Sequence, residues 1–168
     1  MKHSLVRVAV VSLALLAGCG GRQRTIRGTS IPDSEANRAL LDHVDAYRRA
    51  VEARDVDALM LMASPDYRED SATPTASDDY GYDGLRAVLL GSFMQATDIR
   101  LAVRTFGMRR QCPTDDFGPG CRAFVELTLD ASFSITDARG VERRPDKRDQ
   151  HELVFEWNGS KWQIVAGM

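Results

Sequence analysis

Ala123-Phe124-Val125-Glu126-Leu127-Thr128-Leu129-Asp130-Ala131-Ser132-Phe133-Ser134-Ile135 is the stretch that decides the fold, because every odd position is apolar and most even positions are polar. A period of two over this length means one long β-strand with a buried face and a wet face. The same period flanks it. Upstream, Ile99, Leu101 and Val103 alternate with Arg100, Ala102 and Arg104; downstream, Leu153, Phe155 and Trp157 are in phase, with Asn158-Gly159 starting a tight turn toward Trp162 and Ile164. Three or four long antiparallel strands are therefore expected.

Before residue 99 the period is helical. Leu40, Val44, Tyr47 and Val51 recur at i, i+4, i+7 and i+11, which predicts a helix from Asp33 or Ser34 to Ala53. Asp55 is placed to cap a second helix, Val56 to Ala63, that Ser64-Pro65 ends. A short extended piece over Asp66 to Asp70 and a polar loop over Ser71 to Tyr80 follow. Asp83 is then placed to cap a third helix, Gly84 to Gln95, with Leu85, Val88, Leu89 and Phe93 on one face. Three helices followed by a run of strands is an α+β plan, with the helices covering one face of a curved antiparallel sheet. The chain of 168 residues has room for one ordinary domain.

Charge excludes some function classes. There are 22 Lys and Arg against 24 Asp and Glu, so no basic excess suits nucleic acid. The first segment is more telling. Lys2 and Arg7 precede an apolar run from Val8 to Ala17, too short to span a bilayer and typical of an export signal over residues 1–18. Leu16-Ala17-Gly18-Cys19 resembles the lipobox of bacterial lipoproteins, which implies a lipidated N-terminal Cys19. By the same resemblance, Gly20 in place of Asp favours the outer membrane, with the domain facing the periplasm. Cleavage there would leave 20 positive against 24 negative side chains. Residues 19–33 read as a flexible tether, in which Arg22, Arg24 and Arg27 suit either anionic head groups or plain solvation. The domain proper is expected over residues 34–168.

Beyond Cys19 the remaining cysteines are Cys112 and Cys121, an even pair in an exported chain, and a disulfide is the natural reading. No Cys-x-x-Cys spacing and no nearby His favours a metal or redox site, and neither cofactor nor metal is expected. Asp79 to Gly84 lacks the later acid of a calcium loop, and Arg143-Arg144 and Lys147-Arg148 are interleaved with acids as solvated surfaces are.

The run Tyr47-Arg48-Arg49-Ala50-Val51-Glu52-Ala53-Arg54-Asp55-Val56-Asp57-Ala58-Leu59-Met60, then Pro65-Asp66-Tyr67-Arg68-Glu69-Asp70, Gly84-Leu85-Arg86 and the closing Trp157-Asn158-Gly159-Ser160-Lys161-Trp162-Gln163-Ile164 resemble the nuclear transport factor 2-like superfamily. That cystatin-like cone also hosts the SnoaL-like cyclases, ketosteroid isomerase and scytalone dehydratase. The resemblance spans Glu35 to Met168 and implies a pocket on the helix-covered side of the sheet. It does not imply one function, since enzymes, ligand binders and interaction domains share this fold.

Three residues are candidates for chemistry. Tyr47 lies where the isomerases carry an oxyanion-stabilising Tyr, and Asp70 lies one residue short of their general base, leaving Ser71 at the expected position. His151 shares the inward phase of Leu153 and Phe155, with Asp149 beside it in phase, and could serve as acid or base. No second oxyanion acid is visible on the strands. The expectation is thus a non-catalytic domain that binds a small apolar ligand or an envelope protein. The alternative is a small isomerase, dehydratase or cyclase acting on an apolar carbonyl compound. A homodimer through the outer sheet face is a further candidate, although Glu126, Thr128 and Asp130 on that face disfavour a large apolar patch.

Overall fold

Local signals start each helix. In the computed structural model, which describes residues 24–70, 76–113, 117–136 and 139–168, α1 runs Glu35–Ala53 and Ser34 caps it by accepting the Asn37 N–H. Its buried stripe is Leu40, Val44, Tyr47 and Ala50. Arg54 ends it in the left-handed region, and Asp55 then caps α2, Val56–Met62, by accepting the Ala58 N–H at 2.9 Å. The signal segment, Cys19, residues 20–23 and Ser71 lie outside the described residues.

The third helix departs from expectation. α3 runs Tyr82–Gln95, so Asp83 sits in its first turn and Gly81 is the cap residue, without a side-chain bond. The short pairing of β1, Arg68–Glu69, with β2, Tyr80–Gly81, delivers the chain straight into the helix and leaves no place for an Asp83 cap. Leu85 and Leu89 are buried and Phe93 is half-buried, but Val88 points outward.

The sheet is antiparallel in the order β3, β4, β6, β7, where β3 is Ala96–Gln111, β4 Arg122–Thr136, β6 Asp146–Trp157 and β7 Trp162–Ala166. A two-residue β5, Glu142–Arg143, pairs with the end of β4. The odd residues of β4 face the helices as expected: Ala123, Val125 and Leu127 are fully buried, and opposite Leu127, Val125 and Ala123 on β6 lie His151, Leu153 and Phe155. On β3, Leu101, Val103 and Thr105 pair with Ala131, Leu129 and Leu127. A bulge between Thr105 and Gly107 then shifts the inward phase to Met108, opposite Val125, and lets the sheet curve. Past Leu129 the alternation weakens, and Ser134, only 4% exposed, is covered by Arg144, which donates to its hydroxyl. A second register shift, between Thr97 and Arg100, re-aims the pairing there.

The core is one layer of side chains, with Leu40, Leu59 and Leu85 from the three helices meeting Leu127, Leu153, Phe155 and Ile164 from the sheet. Two polar links fix the layers in register. The Leu101 N–H on the edge strand donates to Glu52 of α1 at 2.8 Å, and the Ser64 N–H donates to the Ile164 carbonyl at 2.8 Å where α2 meets β7.

Within the stretch read as a tether, the described residues are folded. Arg24 to Asp33 form a closed turn against the domain: Ile26 N–H bonds to the Ile31 carbonyl and Asp33 N–H to the Arg24 carbonyl, both at 2.8 Å. Ile31 is 1% exposed and the Ser30 hydroxyl donates to the Phe106 carbonyl. The burial of Ile31 is what composition alone did not reveal. No helix among the described residues is long and apolar enough to cross a membrane.

Phe155→Ala is expected to lower the urea midpoint at unchanged slope, with a loss of about 3–5 kcal/mol from a fully buried ring. Thr128→Ala, on the other face of β4, should change stability by no more than about 0.5 kcal/mol in the same titration.

Candidate functional site

The concave face is where the cone should hold a pocket, and Tyr67, Tyr80 and His151 meet the main chain of Gly167 and Met168 there. Tyr47 is 7% exposed, and its hydroxyl makes no hydrogen bond among the described residues. Burial, with a smaller contribution from nearby Tyr80, pushes its phenol up to about 12. Tyr67 is also buried; its hydroxyl accepts the Met168 N–H at 2.9 Å and lies 3.0 Å from Glu69, to which it donates. Burial is the main reason its phenol is held far above the ordinary range. Glu69 also accepts the Gly167 N–H at 2.9 Å, and the Tyr80 hydroxyl donates to the Met168 carbonyl.

His151 joins this group rather than standing free. Its Nε2 lies 2.5 Å from the Gly167 carbonyl, which accepts, so the proton sits on Nε2. Gly167 has φ +89°, and a Cβ there would come within 2.1 Å of the Glu152 carbonyl oxygen, so only glycine allows the chain to turn here. The Gly167-Met168 segment is thus tied down by Glu69, Tyr67, Tyr80 and His151, with Met168 packed on the core.

Asp70 lies elsewhere. It lines a surface groove with Arg122, Phe124, Val154 and Glu156, the convex-face residues of β4 and β6. None of the hydrogen bonds among the described residues joins any two of Tyr47, Asp70 and His151. The convex face itself is a charged ladder. Asp130 accepts from Arg104 and Arg148, Arg109 pairs with Glu152 and stacks 3.6 Å over Phe124, and Arg122 pairs with Glu156. The Arg104 guanidinium, aided by Arg148, holds the Asp130 carboxyl below its usual range.

A second concavity lies at the other end of the sheet. Cys112 and Cys121 are joined, and their loop folds back on the β6–β7 turn: the Gly120 N–H donates to the Trp157 carbonyl and the Trp157 N–H to the Cys121 carbonyl, both at 2.9 Å. This brings Phe117 to ring-centroid distances of 5.3 Å from Trp157 and 5.6 Å from Trp162, which are themselves 5.6 Å apart. With Ala39 and His43 of α1 and Lys161 of the turn, the rings line an open groove of about 600 Å³, with Ser34 and Glu35 at its rim. Burial holds the His43 imidazole below its usual range; Asp42 opposes this and Lys161 reinforces it. His43 is therefore neutral at pH 7. Among the described residues no cluster of His, Cys, Asp and Glu has the makings of a metal site.

The sequence signal for this groove is weak. Trp157 and Trp162 read as strand residues and Phe117 as part of a cysteine loop; only the aromatic pair bracketing Asn158-Gly159, next to a disulfide, could have pointed to it.

No protein-family model and no curated protein matches the chain. Solved structures do. A protein with a cystatin-like fold from Caulobacter vibrioides aligns at TM-score 0.60 and 16% identity, covering 80% of this chain and 87% of that one. A ketosteroid isomerase-like protein from Erwinia carotovora atroseptica gives 0.57 and 19%, covering 80% and 95%. A nuclear transport factor 2-like protein from Cytophaga hutchinsonii gives 0.54 and 14%, covering 80% and 96%. The chain has the nuclear transport factor 2-like fold.

Three outcomes follow from the geometry. The Tyr47 hydroxyl enters no hydrogen bond among the described residues, so Tyr47→Phe should stay within about 0.5 kcal/mol of the parent in stability at pH 7. The folded state also holds the Tyr47 proton above the pH at which the unfolded chain releases it. Its contribution is present below pH 10.0 and lost as pH rises through about 12. In urea titrations, Tyr47→Phe should flatten that alkaline loss by up to about 1.4 kcal/mol per pH unit. Replacing Cys112 and Cys121 by Ser should cost about 2–3 kcal/mol on the chain-entropy account, and red-shift Trp emission as Phe117 leaves the Trp pair.

Proposed function

We propose that the chain is a bacterial envelope lipoprotein, cleaved after Gly18 and lipidated at Cys19, whose domain binds a small apolar ligand and catalyses no reaction. On this reading the anchor holds the domain at the outer membrane, facing the periplasm. The observation that carries it is the aromatic groove between α1 and the β6–β7 turn, where Phe117 and Trp157 offer apolar ring surface beside the polar tips of His43 and Lys161. Concave, largely apolar sites with a few polar groups are the usual form of small-molecule sites.

The enzymatic alternative has less support. Proton abstraction beside a carbonyl needs a base and an oxyanion donor on one substrate. Here His151 spends Nε2 on the Gly167 carbonyl and Asp70 lies on the convex side, away from Tyr47. A ketosteroid isomerase-like neighbour at 19% identity supports the fold and leaves the chemistry open.

A protein partner is the second reading, and a specific surface favours it. Leu61 of α2 and Val88, Leu90 and Met94 of α3 are exposed apolar side chains on neighbouring helices. Exposed apolar side chains of this kind suit a partner or a second copy better than the charged ladder on the sheet does.

The test is native mass spectrometry of the chain purified from its own membranes. The expected spectrum carries a diacylglyceryl mass at Cys19 and a co-purifying apolar molecule that Trp157→Ala releases. A bare, unacylated chain without bound ligand would refute the reading, and Cys19→Ser should move the protein to the soluble fraction.

A further inference from the structure

Resting on that reading, we propose that the groove's apolar ligand is the phospholipid of the anchoring membrane, so that Phe117, Trp157 and Lys161 sit in the bilayer interface and set the orientation of the domain. The reach of such an anchor is short. From Arg24 onward the chain is fastened to the domain: the Arg24 carbonyl accepts the Asp33 N–H, Ile31 is buried, and the Asn37 side chain donates to the Pro32 carbonyl at 2.8 Å. Ser34 and Glu35, the next residues, form the rim of the groove.

Cys19 is five residues before Arg24. A fully extended chain covers about 3.3–3.6 Å per residue, so lipid on Cys19 lies within roughly 18 Å of the point where the domain begins. A domain of this length has a radius of gyration of about 15 Å, so that reach falls short of its far side. The end of the molecule bearing the groove is the end the anchor draws to the membrane.

The side chains at that end have the chemistry of an interface. Phe117 is 50% exposed although apolar, and Trp157 is half-buried with one edge open. Lys161 enters no ion pair among the described residues, and its stem can lie along apolar surface with the ammonium at the head groups. Aromatic rings beside a cation are the usual anchors at this depth. Arg24, whose carbonyl accepts the Asp33 N–H, is exposed and adds positive charge beside the groove. The nearby acid Asp33 is already paired with Arg38, which leaves Glu35 as the acid of the rim.

The two tryptophans of the chain are both in the groove, which makes the test direct. The full chain purified from membranes, its acylation read by intact mass, is reconstituted into phosphatidylethanolamine–phosphatidylglycerol vesicles with or without phospholipid brominated near the head group. We expect bromine to remove roughly half of the Trp emission. Lys161→Glu and Phe117→Ser should each restore most of it while circular dichroism stays unchanged. If Phe117→Ser does not fold, Lys161→Glu alone decides. An acylated, vesicle-bound chain whose emission ignores bromine overturns the orientation and leaves the anchor standing. A chain without acyl mass overturns both. Trp emission shielded from bromine by a co-purified molecule or protein assigns the groove to that occupant and overturns the lipid reading.

Discussion

The structure depends on the burial of one face of β4. Ala123, Val125 and Leu127 are flanked in register by Met108 and Thr105 on β3 and by Phe155, Leu153 and His151 on β6, so a slip of one residue would turn the whole set to solvent. α1 and α2 close over this face through Leu40 and Leu59, and the Glu52 carboxylate that captures the Leu101 N–H holds α1 to the sheet edge. Where the strand residues alternate, burying one set on the concave side leaves the other set on the convex side. That side is a ladder of Arg–acid pairs.

The polar side chains of the concave face that could do chemistry are already engaged. In a cone of this kind, chemistry requires empty space beside polar groups. Here Tyr67, Tyr80, Glu69 and His151 spend their hydrogen bonds on the main chain of Gly167 and Met168. Polar groups satisfied in this way stiffen the fold, and each would have to be released before it could meet a substrate. The open apolar surface has moved to the rim, where the disulfide-closed loop sets Phe117 against two tryptophans.

Most of the fold was legible in the sequence. The odd-numbered apolar residues of β4, the Ser34 and Asp55 caps and the Asn158-Gly159 turn act locally, so their pattern survives into the structure. What the sequence hid depends on distant contacts. Ile31 is buried by a turn closed on itself, Asp83 lost its capping role to a strand pair formed by residues eleven and thirteen apart, and His151 met a carbonyl 16 residues away. The candidate site was less legible for the same reason. The β6–β7 pairing sets Trp157 against Trp162, but Phe117 reaches them from a separate loop that folds back beside the Cys112–Cys121 link, and no spacing rule encodes that.

The central claim is that binding takes place at the aromatic groove beside the anchor and not inside the cone. Hydrogen–deuterium exchange of the lipidated chain, bound to vesicles and compared with the same chain in detergent, tests it most directly. Slower exchange at residues 34–39, 117–121 and 157–162, with residues 67–70 and 122–136 unchanged, is the result this account predicts. Protection that instead appears around Tyr67, His151 and Gly167 would contradict it.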